Sequence, residues 1–152
     1  MDYLVLDTCI VLHILRNNDY SERSKEAIRN FSDAPAFVLS VITAGELEAM
    51  KVFQTWSDMR KSALNSFLEG VTFIDIAHSD QELLDAYAWI DSYSKQKATD
   101  KQGNLMPGTH KTMHKNDLWI AATALALDVP LLTADKGFDH LNGTLINVLK
   151  VV

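Results

Sequence analysis

The sequence has little cysteine, no long apolar run and no surplus of positive charge. Cys9 is the single cysteine, which excludes an internal disulfide and fits a reducing cytoplasm. No apolar run approaches the length of a membrane span, and the N-terminus lacks the basic start and cleavage site of a signal peptide. We therefore expect a cytoplasmic protein that does not associate with a membrane.

The charge balance limits how this chain can interact with nucleic acid. Fourteen lysines and arginines against 20 aspartates and glutamates give a formal net charge of −6. This value argues against binding of nucleic acid by bulk electrostatics, but it is compatible with a nuclease whose acids bind metal ions. No Gly-rich phosphate loop or dinucleotide fingerprint follows the first apolar run, which disfavours the nucleotide-binding folds.

Short apolar runs alternate with helical patterns along the 152 residues. The runs predict strands at 3–6, 37–40, 71–76, 130–133 and 145–149. The length suits a single domain over residues 1–152. Strands that alternate with helices predict a three-layer α/β/α sandwich around a central, mainly parallel sheet. A polar stretch without periodicity predicts a long loop at 99–112, and such loops are often functional.

Four acidic residues follow predicted strands or begin predicted helices, namely Asp7, Glu46, Asp117 and Asp135. Each has a purely structural alternative, because acids are favoured at helix starts. Glu46, for example, has the spacing of a capping box with Thr43. Ligands in parallel α/β folds bind beyond the carboxyl ends of the strands, so the acids are also placed to converge there. Asp117 joins them only if its helix begins at that edge.

Converging carboxylates would repel one another and raise each other's pKa unless a cation compensated their charge. Oxygen ligands without cysteine or clustered histidine favour a hard ion, Mg²⁺ or Mn²⁺. Such an ion can activate water and stabilise the charge that develops on a phosphate during in-line displacement. The acids therefore predict a metal site with phosphodiester chemistry.

The acids lie in four short motifs whose order and spacing are specific as a set. The motifs are Leu6-Asp7-Thr8, Ala44-Gly45-Glu46-Leu47, Asn116-Asp117-Leu118-Trp119-Ile120-Ala121-Ala122 and Leu132-Thr133-Ala134-Asp135-Lys136-Gly137-Phe138. With them the chain resembles PIN-domain ribonucleases over nearly its whole length. It is most similar to the VapC-type toxins of toxin–antitoxin pairs.

The resemblance implies a metal-dependent endoribonuclease. By position, Asp7 and Asp117 match the principal metal ligands of the family, and Glu46 and Asp135 match its other two acids. Glu46 could alternatively orient or deprotonate the attacking water. The resemblance also implies an RNA substrate, a homodimer and a small antitoxin protein as partners.

Supporting residues follow from the same comparison. Thr133 matches a hydroxyl residue near the metal site, Thr8 is a weaker candidate for that neighbourhood, and Asn116 accompanies the acid of its motif. The chain departs from the pattern at Gly137, where many relatives carry a further acid. Asp139 is the candidate to compensate for that missing carboxylate.

The stretch from residue 95 to 115 is locally basic. It holds five lysines and two histidines against one acid, Asp100. This pattern predicts contacts between RNA phosphates and Lys111, His114 and Lys115. The alternative is a solvated loop whose lysines serve solubility.

Three other functions are considered. A haloacid-dehalogenase-type phosphatase needs a second acid two residues after the first, where this chain has Cys9. A receiver domain needs paired acids after the first strand and a phosphoacceptor after the third, for which Asp75 is only a loose candidate. A PIN-like module that binds RNA or protein without cutting it would have no need of four mutually repelling acids.

Overall fold

The computed structural model describes all residues, 1–152. The strands are β1 (Tyr3–Leu6), β2 (Ala36–Ser40), β3 (Thr72–Ile74), β4 (Leu131–Thr133) and β5 (Val148–Lys150). The helices are α1 (Thr8–Leu15), α2 (Asp19–Phe31), α3 (Val41–Phe53), α4 (Asp58–Leu68), α5 (Gln81–Ser94) and α6 (Lys115–Leu127). A 3₁₀ helix spans Lys136–Leu141. None of the helices combines the length and apolar character needed to cross a membrane.

The five strands form one sheet in the order β3-β2-β1-β4-β5, and every neighbouring pair is parallel. This confirms the predicted parallel sheet. Val5 on β1 is in register with Val38 on β2 and with Leu131 on β4. β1 is therefore the central strand, and the residue that follows it leaves the sheet between the ends of β2 and β4.

Two apolar cores cover the two faces of the sheet, as the α/β/α prediction requires. Val5, Val38 and Leu131 belong to the core that includes α5 and α6. Leu4 and Leu39 belong to the second core, with side chains from α1 to α4. Alternate strand residues thus face opposite layers, which is the period of two expected for an extended chain. The sandwich is confirmed.

The last strand begins later than predicted. The apolar run predicted a strand at 145–149, but β5 spans Val148–Lys150. Leu145 and Ile146 are nevertheless buried. They lie in a turn where the backbone N–H of Gly143 donates to the carbonyl of Ile146 at 2.9 Å. The run is apolar because this turn packs into the core, which sequence periodicity cannot distinguish from a strand.

The loop between α5 and α6 has no helix or strand, as predicted, but specific hydrogen bonds hold it in place. The amide Nε2 of Gln96 donates to the carbonyls of Met106 and Gly108 at 2.9 and 2.8 Å. Asp100 is buried, and its Oδ1 accepts the backbone N–H groups of Gln102 and Asn104 at 2.8 and 3.0 Å. The only acid of the basic stretch is therefore used inside the loop.

Candidate active site

Asp7 follows the central strand directly and is only 5% exposed. It occupies the N-cap position of α1, but its side chain makes no capping hydrogen bond there. Its Oδ2 instead accepts hydrogen bonds from the Thr133 hydroxyl at 2.7 Å and the Cys9 thiol at 3.2 Å. Burial raises the pKa of the Asp7 carboxyl, although these two hydrogen bonds oppose the shift. The capping alternative therefore does not explain this residue.

The Cys9 thiol is a donor in this arrangement and not a nucleophile. Burial, and then the nearby charge of Asp7, raises the pKa of Cys9 to about 12. The thiol is consequently protonated at neutral pH, and it remains available to donate to Asp7.

Thr133 links the ends of two strands. It is fully buried at the end of β4, donates to Asp7, and accepts the backbone N–H of Asp135 at 2.9 Å. The Asp135 side chain caps the 3₁₀ helix, because its Oδ1 accepts the N–H of Gly137 at 2.9 Å. The capping alternative thus holds for Asp135, but its other oxygen has no hydrogen-bond partner within the chain.

The departure at Gly137 has a local explanation. A Cβ atom at this position would lie 3.3 Å from Oδ1 of Asp135, which is tighter than most Cβ contacts. Any side chain here would crowd the Asp135 carboxylate. Asp139, the candidate to compensate for the missing acid, forms an ion pair with Lys150 Nζ at 2.7 Å.

Glu46 is not part of a capping box. The N-cap of α3 is Ser40, whose hydroxyl accepts the N–H of Ile42 at 3.1 Å. Thr43 consequently lies inside the helix, fully buried. The Thr8 hydroxyl shares hydrogen bonds with Glu46 Oε1 at 2.8 Å and with the Thr43 hydroxyl at 2.9 Å. Thr8 and Thr43 therefore fix the direction of the Glu46 carboxylate.

Asp117 lies in the first turn of α6, after the N-cap residue His114. Burial and then the charges of Asp7, Asp135 and Glu46 together raise the pKa of Asp117 to about 6, and the charge of His114 opposes them. These interactions place all four acids at one edge of the sheet, so α6 begins where the prediction required. Asn116, the neighbouring supporting candidate, contributes only its backbone N–H, which donates to His114 Nδ1 at 3.4 Å.

The donor set fits a hard divalent cation. None of the four acids forms an ion pair with a lysine, arginine or histidine. No salt bridge therefore offsets their mutual repulsion, which the charge of His114 opposes only at Asp117, and their ligand atoms are the oxygens that Mg²⁺ prefers. No group of three acidic, histidine or cysteine side chains is already arranged as a finished metal site. Binding of a cation would require the carboxylates to draw closer together.

A polar depression of about 220 Å³ opens beside Asp117. Its lining residues are Lys111, Thr112, Met113, His114, Asp117, Gly137 and His140. The sequence analysis named three of these as RNA-binding or metal-binding candidates, but it missed His140. No motif or spacing marks that residue, because it reaches the site only through the folding of the 3₁₀ helix.

The fold and the acidic edge define a parallel α/β/α domain with a carboxylate site beyond its central strands. The sequence profile of the PIN domain matches residues 4–143, and the chain belongs to that family. This match confirms the resemblance and leaves the phosphatase and receiver-domain alternatives without support. Among curated proteins, none matches the sequence.

Solved structures of toxin–antitoxin proteins share the fold. VapBC2 from Rickettsia felis, crystallised with promoter DNA, superposes with a TM-score of 0.71 and 18% identity over 96% of this chain and 98% of that chain. FitAcB from Neisseria gonorrhoeae superposes with a TM-score of 0.63 and 22% identity, over 97% of this chain and 96% of that chain. VapC20 from Mycobacterium tuberculosis is described as a sarcin–ricin loop cleaving toxin. It superposes with a TM-score of 0.61 and 13% identity, over 96% of this chain and 98% of that chain. Identities this low establish the common fold alone.

Proposed function

We propose that the chain is a metal-dependent endoribonuclease that hydrolyses RNA phosphodiester bonds. The observation that supports this most directly is the meeting of Asp7, Glu46, Asp117 and Asp135 without a salt bridge to any basic side chain. Burial and the neighbouring acids together raise the pKa of Asp117 to about 6. If no cation bound there, the repulsion among the four carboxylates would destabilise the folded chain with nothing to offset it. Membership of the PIN family and the description of VapC20 as an RNA-loop cleaving toxin favour the same activity.

In the proposed mechanism, Asp7, Asp117 and Asp135 would hold Mg²⁺ or Mn²⁺, and Glu46 would either complete the ligand set or orient and deprotonate the attacking water. When bound, the cation supplies a Lewis acid for water activation and for charge on the phosphate oxygens. Thr133 directs the Asp7 carboxylate through its hydrogen bond to Oδ2. The Glu46 carboxylate, held at Oε1 by Thr8, can orient the water or accept its proton.

The test is cleavage of an RNA pool that includes tRNA and rRNA, with Mg²⁺, with Mn²⁺ and with chelator. Asp7→Asn and Asp117→Asn should abolish cutting, because each removes a ligand charge. Asp128→Asn is the matched control. It makes the same change at the opposite end of α6, where Asp128 has a positive φ of 53° that asparagine tolerates.

Thermal melting first establishes that all three variants fold. Metal-dependent cutting that only the Asp128→Asn control retains is the expected result. Cutting that survives in both site variants would contradict the assigned site. Calorimetry with Mn²⁺ distinguishes the nuclease from a PIN-like binding module. A wild-type protein that binds no divalent cation and cuts no RNA would be such a module.

We also propose that the chain acts as the toxin of a toxin–antitoxin pair and forms a homodimer. The structural relatives described as VapBC and FitAB assemblies support an antitoxin partner. Val52, Phe53 and Met59 are 80%, 68% and 83% exposed near the junction of α3 and α4, so apolar surface is available for a partner.

Expression should arrest growth, and co-expression of the cognate antitoxin should relieve the arrest. Sedimentation velocity tests the dimer.

A further inference from the structure

Two residues that line the depression beside Asp117 are held by Ser94, the last residue of α5. Ser94 is fully buried, and its hydroxyl lies 2.7 Å from Nε2 of His140. Its carbonyl accepts the backbone N–H of Lys111 at 2.8 Å. One buried residue therefore anchors both the imidazole and the lysine that line the same depression. The Tyr93 ring stacks on His140 at 6.5 Å with an interplanar angle of 7°, which further restricts the imidazole.

The chemistry of the lining favours an anion over a nucleobase. Met113 is the only apolar side chain among the lining residues, and the only rings are the imidazoles of His114 and His140, with no larger aromatic ring on which a base could stack. Lys111 supplies a full positive charge. Nδ1 of His140 has no hydrogen-bond partner in the chain and is not among its buried unpaired atoms, so it remains free to bond a ligand.

Lys111 and His140 are close enough to influence each other. Burial, and then the charge of Lys111, lowers the pKa of His140. The imidazole is consequently neutral near pH 7, and it can offer a hydrogen bond without adding a charge. The depression thus combines one fixed cation and one neutral imidazole with the carboxylate of Asp117, an acid of the proposed metal site that forms part of its lining.

We propose that this depression binds a backbone phosphate of the RNA next to the phosphate that is cleaved. Lys111 contacts that phosphate through its ammonium group, and His140 donates a hydrogen bond to it. Ser94 is a positioning residue that fixes the imidazole. This assignment rests on the proposed nuclease function, and it adds a substrate contact that the acidic motifs do not include.

The test measures binding of a labelled single-stranded RNA by fluorescence anisotropy at several salt concentrations. All proteins carry Asp7→Asn, so that the RNA is not cut during the measurement. We expect Lys111→Ala to weaken binding and to reduce the slope of log K against log salt by about 0.7, the value for one phosphate contact. His140→Ala should raise Kd about 3- to 10-fold, as expected for one hydrogen bond, without changing that slope.

Two further variants distinguish a ligand contact from a structural role. His140→Gln retains a hydrogen-bonding side chain and should recover most of the affinity, whereas His140→Phe should not. Ser94→Ala, made in the otherwise wild-type protein, should raise KM for RNA cleavage and leave kcat unchanged, because the acids are intact. His78→Ala is the control, since His78 is exposed and lies outside the depression.

The outcomes separate this proposal from the nuclease assignment. If the wild-type protein cuts no RNA but the binding differences persist, the phosphate site stands and the nuclease function fails. If Lys111→Ala and His140→Ala both bind RNA as tightly as their parent, the phosphate site is overturned. Full affinity in His140→Phe would also overturn it, because that result indicates a stacked base.

Discussion

At the scale of single residues, Thr133 links two acidic residues of the site, through the carboxylate of Asp7 and the backbone of Asp135. Its hydroxyl donates to Asp7 and accepts the N–H of Asp135. We predict that Thr133→Val lowers the free energy of unfolding by about 1–3 kcal/mol, because buried polar groups lose their partner. Thr133→Ser, which keeps the hydroxyl, is the control. Urea unfolding measures both, and equal losses would mean that the methyl group and not the hydrogen bonds is responsible.

Asp117 makes the folding stability of the metal-free protein depend on pH. The pKa of its carboxyl is about 6 in the folded chain, against an ordinary 3.8. Between these values the folded chain binds more protons than the unfolded chain, so this residue's effect on stability becomes less favourable as the pH rises. We predict that Asp117→Asn gains melting temperature relative to wild type as the pH increases from about 4 to 6. Melting curves in chelator test this, and a constant difference would contradict it.

A bound divalent cation should offset the loss of stability that the ionised acids cause in the metal-free protein. Because none of the four acids forms a salt bridge with a basic side chain, Mg²⁺ or Mn²⁺ can bind them in the folded state, and a ligand that binds only that state stabilises it by RT ln(1 + [L]/Kd). At 100 times Kd, the expected gain is about 2.7 kcal/mol. We predict a clear rise in melting temperature at pH 7 for wild type and for Asp128→Asn, and a much smaller rise for Asp117→Asn. An equal rise in all three would place the cation elsewhere.

At the scale of elements, the start of α3 explains how a helix-capping pattern can mislead. The spacing of Thr43 and Glu46 indicates a capping box that begins the helix at Thr43. Ser40 caps the helix instead. Both Thr43 and Glu46 are thereby released to contact Thr8, which is 38 residues away from Glu46 in the chain. The acid was predictable from its motif, but its partner depends on the packing of α1 against α3.

Gln96 is one of two side chains that hold the loop between α5 and α6 through a pair of hydrogen bonds. Gln96 has a positive φ of 60° and donates to two loop carbonyls. We predict that Gln96→Asn, which tolerates this backbone but is too short to make both bonds, increases protease cleavage within 101–110. Gln102→Asn is the matched control, since the Gln102 side chain is exposed and makes no hydrogen bond. Equal cleavage of the two variants would show that the amide does not hold the loop.

At the scale of the whole molecule, the sequence predicted the sandwich and the acidic edge because each depends on local patterns. Apolar runs identified the strands, and parallel connections bring the strand ends together. Contacts between distant segments had no such signal. The bond between Ser94 and His140 joins residues 46 positions apart, and it exists only because the 3₁₀ helix packs beside the end of α5. The burial of the Asp100 side chain, which leaves the loop surface more basic, could not be predicted from the sequence either.

A protein with a net charge of −6 must bind RNA through local cations. Lys111 and Lys115 are both exposed beside the acidic edge. We predict that replacing both with alanine weakens RNA binding and lowers the slope of log K against log salt by about 1.4, the value for two phosphate contacts. The control replaces Lys25 and Lys61 on α2 and α4, which gives the same net charge. If the two double variants have the same salt slope, net charge and not the loop governs binding.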